Sequence, residues 1–179
     1  IKGNPMHLTP AMQAFILHWG EMGAKWGVNR SVAQIHALLH IATDPLDAEE
    51  IAETLGLARS NVSTGLKELQ GWKLVKATRA LGDRRDTFTS VQDMFDLATV
   101  VVEGRREREF APTIAALRDV AVEADTDATP ADVKARMKET LEMMQMFDDW
   151  YRDMSRLPRG VQMAMLKLGA KLARFIPKG

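Results

Sequence analysis

Between Leu46 and Thr89 short apolar periodicities alternate with turn residues so closely that only small elements fit. Asp47 followed by Glu50 is a capping-box signal, and Ile51, Ala52 and Leu55 form one apolar stripe before Gly56 stops the helix. A second helical pattern begins near Ala58 and carries Val62, Leu66 and Leu69 at spacings of four and three until Gly71. After Trp72, Leu74 and Val75 open a strand that runs on through Lys76 and Arg79. Leu81 to Arg85 is a turn containing Gly82 and Asp83, and Asp86 to Thr89 reads as the returning strand. Two short helices at a tight turn, followed by a two-stranded hairpin, is the arrangement this stretch dictates.

The second helix has a distinctive outer face. At about 100° per residue, the side opposite Val62, Leu66 and Leu69 shows Ser60, Thr64 and Lys67, flanked by Asn61 and Ser63, with Arg59 at the helix start. Short hydrogen-bonding groups plus cations suit a helix that enters a major groove, where they reach base edges and phosphates. Arg84 and Arg85 at the hairpin tip suit the DNA backbone or a narrow, strongly negative minor groove.

These features resemble the winged helix-turn-helix of MarR-type transcription regulators, and the run from Met22 to Val75 is similar to the GbsR branch of that superfamily. The resemblance is carried by Gly23, Trp26, Gly27 and Arg30, by IAETLGLARSNVS from Ile51, by Leu66, Leu69, Trp72, Leu74 and Val75, and by GDRR from Gly82. It covers roughly the first two thirds of the chain. Two positions depart from the pattern: Ala58 stands where such proteins often have a Ser or Thr N-cap, and His36 where that branch often has Tyr. The first costs the helix about 0.5 to 2 kcal/mol of capping.

Net charge is zero, with 24 basic and 24 acidic residues, which taken alone argues against a nucleic-acid partner. Distribution overrides the sum. From Arg59 to Arg85 the bases are Arg59, Lys67, Lys73, Lys76, Arg79, Arg84 and Arg85, against Glu68, Asp83 and Asp86. The 179-residue chain is 46% hydrophobic and 27% charged, values at which a core can be buried. It has no cysteine, which removes disulfides, thiolate metal sites and thiol redox sensing. No apolar run approaches the roughly 18 to 20 residues that span a bilayer, and no secretory signal is evident, so a cytoplasmic protein with no membrane partner is expected.

The flanking segments read as helical. Residues 1–5 precede Met6 and are read as a remnant outside the fold. Thr9 and Pro10 start a helix with Met12, Phe15, Ile16, Trp19 and Met22 on one face, and Ser31 to Ile41 is the next helix, with Val32, Ile35, Leu38 and Leu39 inward. Gln92 to about Glu109 is helical and runs through RREREF to Pro112, where the helix should kink or end, with a further helix from Thr113 to about Ala124. Asp125 to Pro130 is a turn. Beyond it Val133, Met137, Leu141, Met144, Phe147, Tyr151 and Met154 step by threes and fours, and a last helix after Pro158 carries Val161, Met165, Leu168, Leu172 and Phe175 with a basic outer face. Amphipathic helices attached to a small domain need a partner surface, and in MarR-like proteins the first helix helps build a dimer. Phe15, Trp19, Met137, Leu141, Met144, Tyr151, Leu168 and Leu172 are therefore the candidate dimerisation residues.

The fold class expected is mostly α: a winged helix-turn-helix with a small β-hairpin wing, plus N- and C-terminal dimerisation helices. Its divisions are residues 1–24, a dimerisation helix; 25–92, the DNA-binding domain; and 93–179, a helical dimerisation and effector region. No Gly-rich phosphate loop, nucleophile motif or clustered carboxylates appear, so no enzyme is expected. No cofactor and no metal are expected either, because His36 and His40, even with His18, offer only part of a ligand set.

The function implied is a homodimeric, sequence-specific double-stranded-DNA-binding transcriptional regulator, a repressor, with a small molecule as candidate effector. The DNA-binding residues would be Arg59, Ser60, Asn61, Ser63, Thr64, Lys67, Arg84 and Arg85. The GbsR resemblance suggests choline-like osmolytes as one effector class, for which Trp19, Trp26, Trp72, Trp150 and Tyr151 could supply a cation–π cage, although three of the Trp residues fall at helix or connector packing positions that favour core. The methionines Met143, Met144, Met146, Met154, Met163 and Met165 could instead line an adaptable pocket or serve as core. The alternative function is a winged-helix protein-interaction module that does not bind DNA.

Overall fold

The computed structural model describes residues 5–79 and 85–172, with the backbone alone given for 170–172. Two compact units divide the chain, residues 1–104 and 105–179.

In the first unit, Thr9 caps α1 (Pro10–Lys25), its hydroxyl accepting from the Met12 N–H at 3.3 Å, with Pro10 in the first turn. Helix α2 (Arg30–Ile41) starts at Asn29, whose Oδ1 accepts from the Ser31 N–H. It is the centre of the core: Val32, Ala33, Ile35, His36, Ala37, Leu38 and Leu39 are all buried. Helix α1 lies against it through small residues. A Cβ on Gly23 would fall 2.5 Å from the Cβ of Ala33, so the two helices meet almost backbone to backbone.

Helix α3 (Ala48–Leu55) has the capping box read from the sequence. Asp47 Oδ1 accepts from the N–H groups of Glu49 and Glu50 at 2.9 Å, and Glu50 returns a carboxylate to the Asp47 N–H at 2.7 Å. Gly56, with φ of 64°, closes it in the left-handed conformation. Helix α4 (Arg59–Gly71) follows after a short turn, with Val62, Gly65, Leu66 and Leu69 facing the core. Its N-cap is Ala58, which makes no side-chain cap.

The hairpin is part of a three-stranded antiparallel sheet, where a two-stranded one was expected. β1 (Leu46–Asp47), β2 (Val75–Thr78) and β3 (Thr87–Ser90) stand in the order β1-β3-β2, with Leu46 opposite Phe88 and Val75 opposite Ser90. A two-residue strand has no alternation to read, and its partner lies far along the chain. Phe88 and Ser90 are the inward residues of β3, which runs to Ser90 rather than ending at Thr89.

Helix α5 (Met94–Arg105) begins later than Gln92 because Asp93 caps it, accepting from the N–H groups of Phe95 and Asp96. Leu97 on α5 and Ile16 on α1 belong to the same buried cluster as α2 and α4, so both flanking helices share the core of the winged helix.

At Pro112, where a kink or an end of the helix is expected, the helix type changes. Arg106–Phe110 is a π turn, with the Ala111 N–H on the Arg106 carbonyl, and α6 (Ala111–Thr126) takes Pro112 into its first turn. A proline inside an α-helix removes one N–H and presses its ring on the carbonyl four residues back. Widening the preceding turn relieves that conflict, so the backbone stays helical.

Helices α7 (Ala131–Ser155) and α8 (Arg159–Leu172) follow. α6 packs along α7 through buried Ile114, Ala121 and Ala124, fastened by Lys138 to Asp125 at 3.0 Å and, from the π turn, Arg106 to Asp148 at 2.9 Å. No described helix is long and apolar enough to cross a membrane.

Candidate nucleic-acid interface

Helix α4 is amphipathic in the sense its sequence dictates. Arg59, Ser60, Asn61, Ser63, Thr64 and Lys67 are all exposed, while Val62, Leu66 and Leu69 are sealed in the core. Gly65 lets α4 approach α2 closely; a Cβ there would lie 2.8 Å from Ile35 Cδ1. The core thus holds the helix from behind and leaves its polar side presented outward.

The electrostatics of this face are more balanced than the sequence window implied. Arg59 Nη1 meets Glu49 Oε2 at 2.6 Å, Arg79 grips Asp86 at 2.7 Å across the two strands, and Arg85 Nη1 meets Asp47 Oδ2 at 2.5 Å. Two of these acids, Asp47 and Glu49, lie before Arg59 in the chain, and folding brings them to the basic segment. Lys67, Lys73 and Lys76 are exposed on the same segment. Lys73 has φ of 60° at the turn out of α4, in the region that glycine usually occupies. Arg84 lies outside the described residues.

The hairpin is joined to the helices by a polar cluster in which His36 is buried and His40 half-buried. His36 Nε2 lies 3.1 Å from Ser90 Oγ, and His40 Nδ1 lies 3.1 Å from the Val91 carbonyl, to which it donates as the Nδ1–H tautomer. Trp19 covers both imidazoles, at centroid distances of 6.0 and 6.2 Å. Burial, and secondarily the neighbouring His40, push the His36 pKa from 6.5 down to about 4. His18 is exposed, and no group of three or more metal-ligating side chains occurs among the described residues. The i,i+4 spacing of the two histidines was the available signal, and it marked a stacked pair.

The candidate dimerisation residues divide. Phe15 is exposed and Trp19 half-buried on the histidines. Met137, Leu141, Met144 and Tyr151 are half-buried, and Leu141 lines a groove of about 290 Å³ with Arg118, Ala121 and Val122 of α6. Leu168 is exposed, and the side chain of Leu172 lies outside the described residues. The more open apolar face of α7 is instead Met143, Met146, Phe147 and Trp150, the last 60% exposed. Their i, i+3, i+4, i+7 spacing adjoins the stripe from Val133 to Met154 and shares Phe147 with it. None of the six methionines lines the α6–α7 groove.

Comparison with known proteins agrees with this architecture. A MarR family model matches residues 26–86. The HTH-type transcriptional repressor GbsR of Bacillus subtilis (strain 168) is 26% identical over 159 residues, covering 85% of this chain and 83% of that protein. A crystal structure of a transcriptional regulator superposes with a TM-score of 0.63 at 22% identity, covering 80% of this chain and 95% of the other. The helix-turn-helix with its wing is thus similar to that of MarR family proteins over residues 26–86, and the likeness to GbsR runs beyond it.

Proposed function

We propose that this protein is a homodimeric repressor that binds double-stranded DNA in a sequence-specific manner and releases it in response to a small molecule. The observation that carries the DNA-binding reading is the outer face of α4. Six polar or basic side chains, Arg59, Ser60, Asn61, Ser63, Thr64 and Lys67, are exposed together on a helix whose other side is locked in the core. Such a face reads base edges through Ser, Thr and Asn and takes phosphates through Lys and Arg. The repressor reading draws on the likeness to GbsR.

Dimerisation is supported by the apolar residues that α7 leaves exposed, Met143, Met146, Phe147 and Trp150, a patch that monomeric proteins seldom display. Two copies would set their α4 helices about one DNA turn, roughly 34 Å, apart on a pseudo-palindromic site. An effector acts in such a dimer by binding more tightly to one spacing of the two lobes than to the other.

The test uses two variants against a labelled duplex. Lys67→Ala should weaken binding to every sequence and lower the log–log salt slope by about 0.9. Asn61→Ala should narrow the gap between specific and random duplex, by about 1 to 3 kcal/mol if it reads a base bidentately. If neither variant alters binding, α4 is not the reading helix.

A further inference from the structure

The Asp47 carboxylate serves two elements at once. Its Oδ1 caps α3 by accepting from Glu49 and Glu50, and its Oδ2 takes the guanidinium of Arg85. The backbone of Asp47 is in β1, paired with Thr87, two residues beyond Arg85 on the return strand of the wing. The Asp47 side chain is only 7% exposed, while that of Arg85 is half in solvent. A carboxylate so enclosed is costly unless matched, and the charge-assisted bond to Arg85 matches it. The other cross-strand clamp, Arg79 with Asp86, ties the two wing strands to each other and does not reach the helices.

We propose that Asp47 and Arg85 form a latch that fixes the angle of the wing against the helix-turn-helix, so that Arg85 is a positioning residue for the wing's DNA contacts. This rests on the DNA-binding reading above and adds to it the device that orients the wing. The latch and a direct phosphate contact by Arg85 give opposite expectations for Asp47. If Arg85 acted on DNA alone, removing the anion beside it would leave binding unchanged or tighten it. If the pair is a latch, the same change weakens binding because the wing loses its seat.

The experiment is fluorescence anisotropy of a labelled mixed-sequence duplex with the full chain, comparing Asp47→Asn, Arg85→Gln and the double variant. Asparagine keeps the Oδ1 acceptor that caps α3. Each single variant should weaken binding on the order of fivefold, and the double variant no more than either alone. Hydroxyl-radical footprints should lose protection where the wing lies and keep it under α4, a pattern that a general loss of stability would not give. In the free protein, Arg85→Gln should speed amide exchange at Thr87 and Phe88, which keeps the test open should Asp47→Asn fail to fold.

Binding by Asp47→Asn that equals or exceeds that of the unaltered chain, additive losses, or unchanged exchange in Arg85→Gln overturns the latch and leaves the DNA-binding reading standing. An unaltered chain that binds no duplex at any salt overturns both.

Discussion

His36 and Ser90 meet at 3.1 Å in the interior, the imidazole Nε2 against the hydroxyl, and join the central helix α2 to the last residue of the wing's return strand. The consequence is a dependence on pH. His36 titrates near 4 in the folded chain because burial disfavours its charged form, against 6.5 when unfolded. Between these values the unfolded state binds more protons, so stability rises with pH across the window. The contribution is fully present above about pH 6.5 and is lost as pH falls from there toward 4. A shift of this size corresponds to about 3 kcal/mol. Urea unfolding at a series of pH values should show this slope in the unaltered chain and lack it in His36→Gln; identical slopes would place the acid sensitivity elsewhere.

Gly23 is held by the crossing of α1 and α2. Gly23→Ala offers a better helix former, a gain of up to about 1 kcal/mol. Its methyl would arrive 2.5 Å from the Ala33 methyl, an overpacking that costs about 1 to 3 kcal/mol. A lowered Tm is expected. A raised Tm would mean the two helices part without penalty.

The uncapped start of α4 is a place to add stability. Ala58→Ser supplies an oxygen for the Ser60 or Asn61 N–H, worth about 0.5 to 2 kcal/mol. Thermal unfolding should move upward by a few degrees. No change would show that the backbone at residue 58 does not hold a serine in capping geometry.

Much of this was readable because it is local. The Asp47–Glu50 capping box, the Gly56 stop and the two faces of α4 are set by residues three and four apart, and each stands where the spacing put it. What the chain's linear order concealed was long-range. β1 is two residues long and finds its partner only in the folded sheet. Asp47 is legible as a cap from the sequence, but its second partner, Arg85, lies 38 positions away. The acids Asp47 and Glu49 altered the charge of a segment that contains neither. In α7 two apolar stripes run side by side, and periodicity alone does not say which one α6 covers.

The exposed face of α7 carries the dimer prediction. Phe147→Asp combined with Trp150→Asp alters two side chains that are more than half exposed, so each chain should fold as before. Sedimentation should show a dimer for the unaltered protein and a monomer for the variant at micromolar concentration. A dimer that persists in the variant would assign the interface to another surface.

The central claim is that the α4 face reads DNA. The most direct measurement is binding of the purified chain to labelled duplex from upstream of its own gene, titrated at several salt concentrations against excess random duplex. The expected result is binding that survives the competitor and falls linearly in log–log form with salt, by about 0.9 per phosphate contacted. Binding no tighter than to random duplex at any salt would contradict it.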